Sequence, residues 1–155
     1  MSRQTVSAAL AAIGRDAKLL DRAPLLAPLD RAALQGIDPT TGGYLRGRYG
    51  LETSLLLAAA QHDERGHIYA LPNIWAELRW AARAEGIVHL DDLLLRRVRI
   101  GMLLPDGAKS LMTRIRAIVQ AETGWDDQRW SQEEAIYLDT WKAYYLSLIH
   151  ISEPT

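Results

Sequence analysis

The sequence has no cysteine, so its fold cannot depend on disulfide bonds, and the chain suits a reducing compartment. No apolar run reaches the roughly 18 residues that a membrane-spanning helix needs. The first residues do not show the charged and then apolar pattern of a secretory signal. With a net charge of −1, no overall field would attract nucleic acid or an anionic membrane. Disulfide scaffolds, membrane-spanning proteins and strongly basic nucleic-acid binders are therefore not expected.

Signals for β-structure are also missing, because no segment alternates apolar and polar residues between turn-forming residues. The sequence has neither an internal repeat nor a low-complexity tract. Its 155 residues, 48% of them apolar and 24% charged, are sufficient and ordinary for one folded domain. Amphipathic patterns joined by short connections predict an all-α bundle of about six to seven helices.

Start and stop signals place these helices along the chain. Asp38 followed by Pro39 is a typical helix start, and Gly50 is a typical helix end. Beyond that glycine, Leu51 and Leu55 share one face of a further helix with Ala59. Residues 28–35 form one more short candidate. The main predicted helices cover residues 5–13, 38–49, 51–59, 73–85, 89–101, 105–123 and 126–145.

The fifth of these helices shows its direction in its charges, and we expect the others to surround it. Asp91 and Asp92 lie in its first turn, where the helix dipole stabilises carboxylates. Arg96, Arg97 and Arg99 lie in its last turn, where the dipole stabilises cations. The apolar face that we expect to be buried consists of Leu90, Leu94 and Val98.

Aromatic residues recur along the last helix. Asp126 is the predicted N-cap, and Trp125 and Trp130 have the spacing of a hydrophobic staple. A ligand platform is one interpretation of these aromatics, but side chains of this size more often fill a core or an interface. The stripe consists of Trp130, Tyr137, Trp141 and Tyr145, accompanied by Trp75, Trp80 and Trp125.

Two short clusters could be interpreted as a metal site and a nucleotide-binding turn, and we reject both. Residues 62–67 offer two histidines and two carboxylates, but the helical histidine spacing of zinc motifs is absent, so a solvated loop is favoured. Gly42 and Gly43 are not followed by a G-x-G-x-x-G pattern and do not follow a strand. His89 is interpreted as a capping or packing residue rather than a catalytic base. We therefore predict no catalytic, cofactor-binding or metal-binding residue in this chain.

Four stretches in order resemble one family. They are the Arg48-Tyr49-Gly50 motif, residues 75–86, residues 89–97 and residues 124–127. Together they closely resemble the C-terminal domain of FAD-dependent glycerol-3-phosphate dehydrogenases and of the related glycerophosphate oxidases. The resemblance extends from about residue 5 to residue 145, so it covers most of the chain.

The resemblance implies a function in glycerol metabolism. The whole enzyme would oxidise sn-glycerol 3-phosphate to dihydroxyacetone phosphate with FAD and pass electrons to quinone. This chain would be its non-catalytic helical domain, inactive alone and bracing an N-terminal FAD domain that the sequence lacks. The family further implies a cytoplasmic location, peripheral attachment at the inner face of the cytoplasmic membrane, and contact with a second copy.

Both ends of the sequence look artificial. Residues 147–155 resemble translated sequencing adaptor, so they are expected to carry no native structure. Met1 resembles an internal methionine of the family that has been taken as a start. The expected domain is therefore residues 1–146, with a non-native tail after it.

The arginines of the fifth helix allow three interpretations. A tight turn before an arginine-rich helix is also seen in DNA-reading modules, so a free-standing DNA-binding or protein-interaction module is the alternative function. Contact with anionic lipid is the second interpretation. We favour the third, in which arginine forks pair with carboxylates between helices or across a domain joint, without nucleic acid. The predicted structural and interdomain residues are Asp91, Asp92, Arg96, Arg97, Arg99, Glu77 and Tyr49.

Overall fold

The computed structural model describes residues 3–14, 34–61 and 63–146. No strand occurs in these ranges, so the predicted all-α bundle is confirmed. The α-helices are α1 (Arg3–Ala12), α2 (Pro39–Tyr49), α3 (Thr53–Ala59), α4 (Trp75–Ala84), α5 (Ile100–Leu103), α6 (Met112–Thr123) and α7 (Asp127–Trp141). Short turns of 3-10 type cover Gly50–Glu52 and Pro105–Leu111, and π-helical turns cover Asp92–Arg97 and Lys142–Leu146. The predictions for residues 147–155 and for most of 28–35 concern positions outside the described residues.

Local chemistry sets the helix ends that were predicted. The Asp38 carboxylate accepts hydrogen bonds of 3.0 Å from the backbone N–H groups of Thr40 and Thr41, satisfying two donors that α2 leaves unpaired. Gly50 ends α2 with a φ of 55°. Gly124 ends α6 with a φ of 70°, and Asp126 caps α7 by accepting from the backbone of Arg129.

Helix α4 is the centre of the bundle, because it is buried on opposite faces. Its Trp75, Leu78 and Ala81 belong to a large apolar cluster shared with α6 and α7. Its Ala76 and Trp80 belong to a smaller cluster shared with α2 and α3. The expectation that residues 89–101 would be central was therefore wrong, although Leu90, Leu94 and Val98 are fully buried as predicted.

Residues 89–101 do not form one regular helix. The N–H of Val98 donates to the carbonyl of Leu93 in a π-helical turn, and Arg99 follows with a left-handed φ of 66°. Gly101 then begins a new direction against α7, where the indole N–H of Trp141 donates to its carbonyl oxygen at 2.8 Å. Any side chain at Gly101 would collide with the Tyr137 hydroxyl, so this close contact requires glycine at that position. Arg99 consequently lies in the break and not in a last helical turn.

The helix predicted to begin at Pro105 also begins later. Asp106, Gly107 and Ala108 are all left-handed, with φ values of 49°, 64° and 64°. The Tyr137 hydroxyl donates to the Gly107 carbonyl at 2.8 Å and fixes this turn. Helix α6 therefore starts only at Met112.

The aromatic stripe of α7 is core, as predicted by default. Trp130, Tyr137 and Trp141 are buried in the large cluster, and Tyr145 packs against it. The rings of Trp125 and Trp130 lie 6.4 Å apart, which confirms the predicted staple. Within the ranges described above, no helix is both long and apolar enough to cross a membrane.

Candidate interdomain site

A buried carboxylate lies under the junction of α2, α4 and the Asp92–Arg97 turn. Glu77, on the first turn of α4, is fully buried, and its Oε2 accepts from the backbone N–H of Ile74 at 2.8 Å. Its Oε1 accepts from the hydroxyl of Tyr49 at 2.9 Å and from that of Tyr44 at 3.4 Å. Burial raises the pKa of the Glu77 carboxyl. Burial of the Tyr49 hydroxyl, together with the nearby charge of Glu77, raises the pKa of Tyr49. Glu77 thus ties α4 to two side chains of α2.

Arg48 and Asn73 connect this network to the Asp92–Arg97 turn. The Arg48 guanidinium donates to the Tyr44 hydroxyl at 3.0 Å and to the backbone carbonyl of Arg97, and its Nε lies 3.7 Å from Glu77. The Asn73 amide donates to the Tyr44 hydroxyl at 3.0 Å and to the Val98 carbonyl at 3.4 Å. The end of the π-helical turn would otherwise leave these carbonyls unpaired. Side chains outside the turn therefore fix where it ends.

The first turn of the same element is held by its own carboxylates. Arg96 pairs with Asp91 at 3.0 Å and also with Asp92. Asp92 additionally accepts from the backbone N–H groups of Val88 and His89 at 3.1 and 3.0 Å. Burial alone would raise the pKa of Asp92, but these N–H groups and Arg96 outweigh it and lower the pKa. The guanidinium of Arg96 is thereby fixed against the turn.

An open groove of about 780 Å³ lies above this network, and we call it the arginine groove. Three cations and two carboxylates border it, and Arg97 is exposed at its edge. Among the described residues, no carboxylate pairs with the Arg97 guanidinium. Burial raises the pKa of Glu85, while the charges of Arg48 and Arg97 oppose that shift. The groove is lined by Arg48, Tyr49, Glu52, Ala84, Glu85, Gly86, Arg96 and Arg97.

The predicted interdomain residues are only partly brought together. Tyr49, Arg96 and Arg97 line the groove, and Glu77 lies beneath it. Asp91 and Asp92 hold Arg96 at its side. Arg99 is separate, because its left-handed backbone ends the turn and its Nε donates to the Arg96 carbonyl. The cation closest to Glu77 is Arg48, which the prediction omitted.

Sequence reasoning missed Tyr44, Arg48 and Asn73, although one local signal was present. Tyr44 and Arg48 are spaced i, i+4 on α2, so they share one face of that helix beside Tyr49. Their contacts with Glu77 and Arg97 join residues 29 to 49 positions apart. Such pairs have no signature in a single sequence.

A second ionic network was missed and corrects one prediction. Arg79 forms a two-pronged pair with Glu64, at 2.7 and 2.6 Å, and also pairs with Glu122. Arg83 donates to the same Glu122 at 2.7 and 3.0 Å. The loop at residues 62–67 was expected to be solvated, but its Glu64 is buried because it supplies this partner. His62 of that loop lies outside the described residues.

His89 contacts a buried acid. Its Nδ1 lies 3.1 Å from Glu133 Oε1, and the other oxygen of Glu133 accepts from the backbone N–H of Leu90. Arg129 pairs with Glu133 at 2.8 Å. This arrangement positions the start of the 90–97 segment on α7, which agrees with the packing role assigned to His89. Within the described ranges, no three potential metal ligands of the His, Cys, Asp or Glu type converge.

Comparisons with known proteins agree with one another. Residues 6–130 match the family described as the C-terminal domain of alpha-glycerophosphate oxidase. Glycerol-3-phosphate dehydrogenase of Mycobacterium leprae is 34% identical over 109 residues, which are 68% of this chain and 19% of that protein. Glycerol-3-phosphate dehydrogenase 2 of Mycobacterium bovis and of Mycobacterium tuberculosis is 34% identical over 118 residues, 74% of this chain and 20% of each relative. The chain thus spans about a fifth of the curated relatives it matches. No solved structure matches.

Proposed function

This chain belongs to the family of the C-terminal domain of alpha-glycerophosphate oxidase, and we propose that it serves as the non-catalytic helical domain of an FAD-dependent glycerol-3-phosphate dehydrogenase. The whole enzyme would oxidise sn-glycerol 3-phosphate to dihydroxyacetone phosphate and pass the electrons to quinone. The family match over residues 6–130 carries the proposal, and the names of the relatives support glycerol 3-phosphate as the substrate and a dehydrogenation as the reaction class.

The residues of this chain do not fit FAD. A flavin pyrophosphate needs a glycine-rich turn between a strand and a helix, with backbone N–H groups aimed at the phosphates. Gly42 and Gly43 lie inside α2 instead, and the described ranges contain no strand. We therefore assign FAD and the catalytic residues to the part of the enzyme outside this chain.

The proposed contribution of this domain is to brace the FAD domain. The Glu77 network fixes Arg48 and the end of the Asp92–Arg97 turn, so the arginine groove has a defined shape. Fixed guanidinium groups lose little side-chain entropy when they pair with carboxylates across a joint. A rigid basic surface of this kind suits an interdomain contact better than it suits catalysis.

The wider setting of the enzyme is part of the same proposal. We place it in the cytoplasm, peripherally at the inner face of the cytoplasmic membrane, and as a homodimer. This setting is what the resemblance to the family implies.

The purified chain tests the proposal. We expect no visible flavin absorption and no spectral change with sn-glycerol 3-phosphate, because the chain lacks a flavin-binding turn. A flavin spectrum that bleaches with that substrate would overturn the non-catalytic assignment. The spectrum of a full-length relative, measured in parallel, is the positive control.

The DNA-binding alternative gains no support from the geometry. The arginine-rich element is a π-helical turn, and Asp91 and Asp92 hold its Arg96. A gel shift with duplex DNA should show no complex even at low salt, where counterion release favours binding. A salt-sensitive complex that Arg97→Glu abolishes would restore the alternative.

A further inference from the structure

Helix α3 and the 3-10 turn that precedes it present apolar side chains both to the core and outward. The inner face of α3 packs Leu56 and Leu57 into the smaller cluster. Leu51 and Leu55 point outward, and they are 46% and 57% exposed. We call this pair the apolar stripe. Singly exposed leucines are ordinary, and two of them four positions apart mark a small apolar surface.

The apolar stripe adjoins the arginine groove. Glu52, which lines the groove, lies between Leu51 and Leu55 along the chain, and Arg48 lies one turn before Leu51. Arg97 also lines the groove. The combined surface has apolar side chains beside guanidinium groups, which is the usual arrangement of a protein interface with a charged rim.

Two observations point to the occupant of this surface. About four-fifths of the length of the relatives lies outside the matching region, so the domain has a large covalent neighbour. Leu34 and Ile37, which precede α2, pack on the same cluster as α2 and α3. These two residues, which directly precede α2, therefore lie on the half of the bundle that carries the stripe.

We propose that the apolar stripe and the Arg97 side of the groove form the face that docks onto the FAD domain of the same polypeptide. This inference rests on the proposed function and names the face involved. The docking surface of the FAD domain should present an apolar patch to Leu51 and Leu55 and at least one carboxylate to Arg97. An ion pair between Arg97 and that carboxylate would fix the orientation of the two domains as well as add to their affinity.

Thiol footprinting in a hybrid enzyme tests this face. The hybrid is the Mycobacterium leprae glycerol-3-phosphate dehydrogenase with its matching fifth replaced by this chain. Because the chain has no cysteine, Leu55→Cys introduces a single thiol whose alkylation can be followed by mass spectrometry of that peptide. We expect alkylation in the hybrid to be about tenfold slower or more than in the free chain, because docking excludes the reagent. Leu103→Cys, at a similarly exposed position on α5, is the matched control and should react equally in both.

The outcomes separate the inference from the proposed function. If the hybrid retains FAD while Leu55→Cys reacts as fast as in the free chain, the docking face is wrong and the proposed function stands. If Leu103→Cys is protected instead, the interface lies on α5 and the inference fails. A hybrid that retains no FAD while the unaltered relative does would contradict the proposed function, and the inference falls with it.

A second measurement tests whether other residues of this chain already cover the apolar stripe in the free domain. Leu51→Glu with Leu55→Glu should leave the melting temperature of the free chain unchanged and lower the temperature at which the hybrid releases flavin. The same double change at Met102 and Leu103 is the control, since these side chains are 44% and 55% exposed. A loss of stability in the free chain would show that the stripe is already covered, which contradicts the proposal.

Discussion

At the scale of single residues, Arg79 is a buried cation that pairs with two carboxylates from other parts of the chain. It is almost fully buried and neutralises Glu64 and Glu122, which belong to a loop and to α6. Arg79→Ala leaves Glu64 buried without a partner and should cost about 3–5 kcal/mol in the free energy of unfolding. Urea denaturation of the purified chain measures the loss.

Arg83→Ala is the matched control for this prediction. Arg83 also pairs with Glu122, but its side chain is 47% exposed, so its removal should cost less than about 1 kcal/mol. Equal losses for the two variants would mean that burial does not set the value of these ion pairs.

Acidification should weaken the same network through Glu122. Hydrogen bonds from the Arg83 guanidinium, and then from Arg79, outweigh burial and hold the pKa of Glu122 below its usual 4.5. A carboxyl whose folded-state pKa is lowered stabilises the fold above its unfolded-state pKa, and this contribution disappears as the pH falls through the folded-state value. The wild type should therefore exceed Glu122→Gln in the free energy of unfolding at neutral pH and converge with it in acid. A difference that stays constant down to the acid limit would contradict this assignment.

At the scale of elements, the sequence predicted what adjacent residues decide. Asp38 with Pro39, Gly50, Gly124 and Asp126 set helix ends through bonds within a few positions, so their outcome matched expectation. The site was less predictable, because the partners of Glu77 come from α2 and its own loop. The sequence indicated Glu77 as an interdomain residue, but it did not indicate that Arg48 would be the arginine nearest to it.

The two failed helix predictions share one physical cause on α7. Tyr137 donates to the Gly107 carbonyl and Trp141 donates to the Gly101 carbonyl, 30 and 40 residues away. These contacts hold the backbone in conformations that local propensity disfavours. Left-handed residues such as Asp106 cost about 1–2 kcal/mol each, so tertiary contacts must supply that stabilisation.

In the left-handed turn at residues 106–108, we expect glycine to be required at position 107. A methyl group at Gly107 would lie 2.9 Å from Cγ of Trp141 and from the Tyr137 hydroxyl, at a φ of 64°. Gly107→Ala should therefore destabilise the chain by about 2–4 kcal/mol, the combined scale of left-handed strain and overpacking. Thermal or urea denaturation is the measurement.

Gly43→Ala in α2 is the control for that prediction. No atom lies within 4 Å of the position that the added methyl group would take, and the residue is helical. The change should stabilise the chain by about 0.5–1 kcal/mol, because alanine loses less backbone entropy in a helix. If both variants lost stability equally, strain at Gly107 would not explain the effect.

At the scale of the whole molecule, α4 should make unfolding cooperative. It contributes Trp75 and Leu78 to the large cluster and Ala76 and Trp80 to the smaller one. Unfolding of α4 would therefore disrupt both clusters at once. Circular dichroism and tryptophan fluorescence should report the same urea midpoint. Two separate midpoints, with Leu45→Ala shifting only one, would show that the clusters unfold independently.

The central claim is that this bundle supports a flavoenzyme that binds FAD elsewhere in its polypeptide. The most direct test is the bleaching of the flavin spectrum by sn-glycerol 3-phosphate in the hybrid of the Mycobacterium leprae enzyme, compared with the same enzyme lacking its matching fifth. We predict that the hybrid retains FAD and bleaches with substrate, while the shortened enzyme loses flavin or does not bleach. A hybrid that behaves like the shortened enzyme would contradict the account.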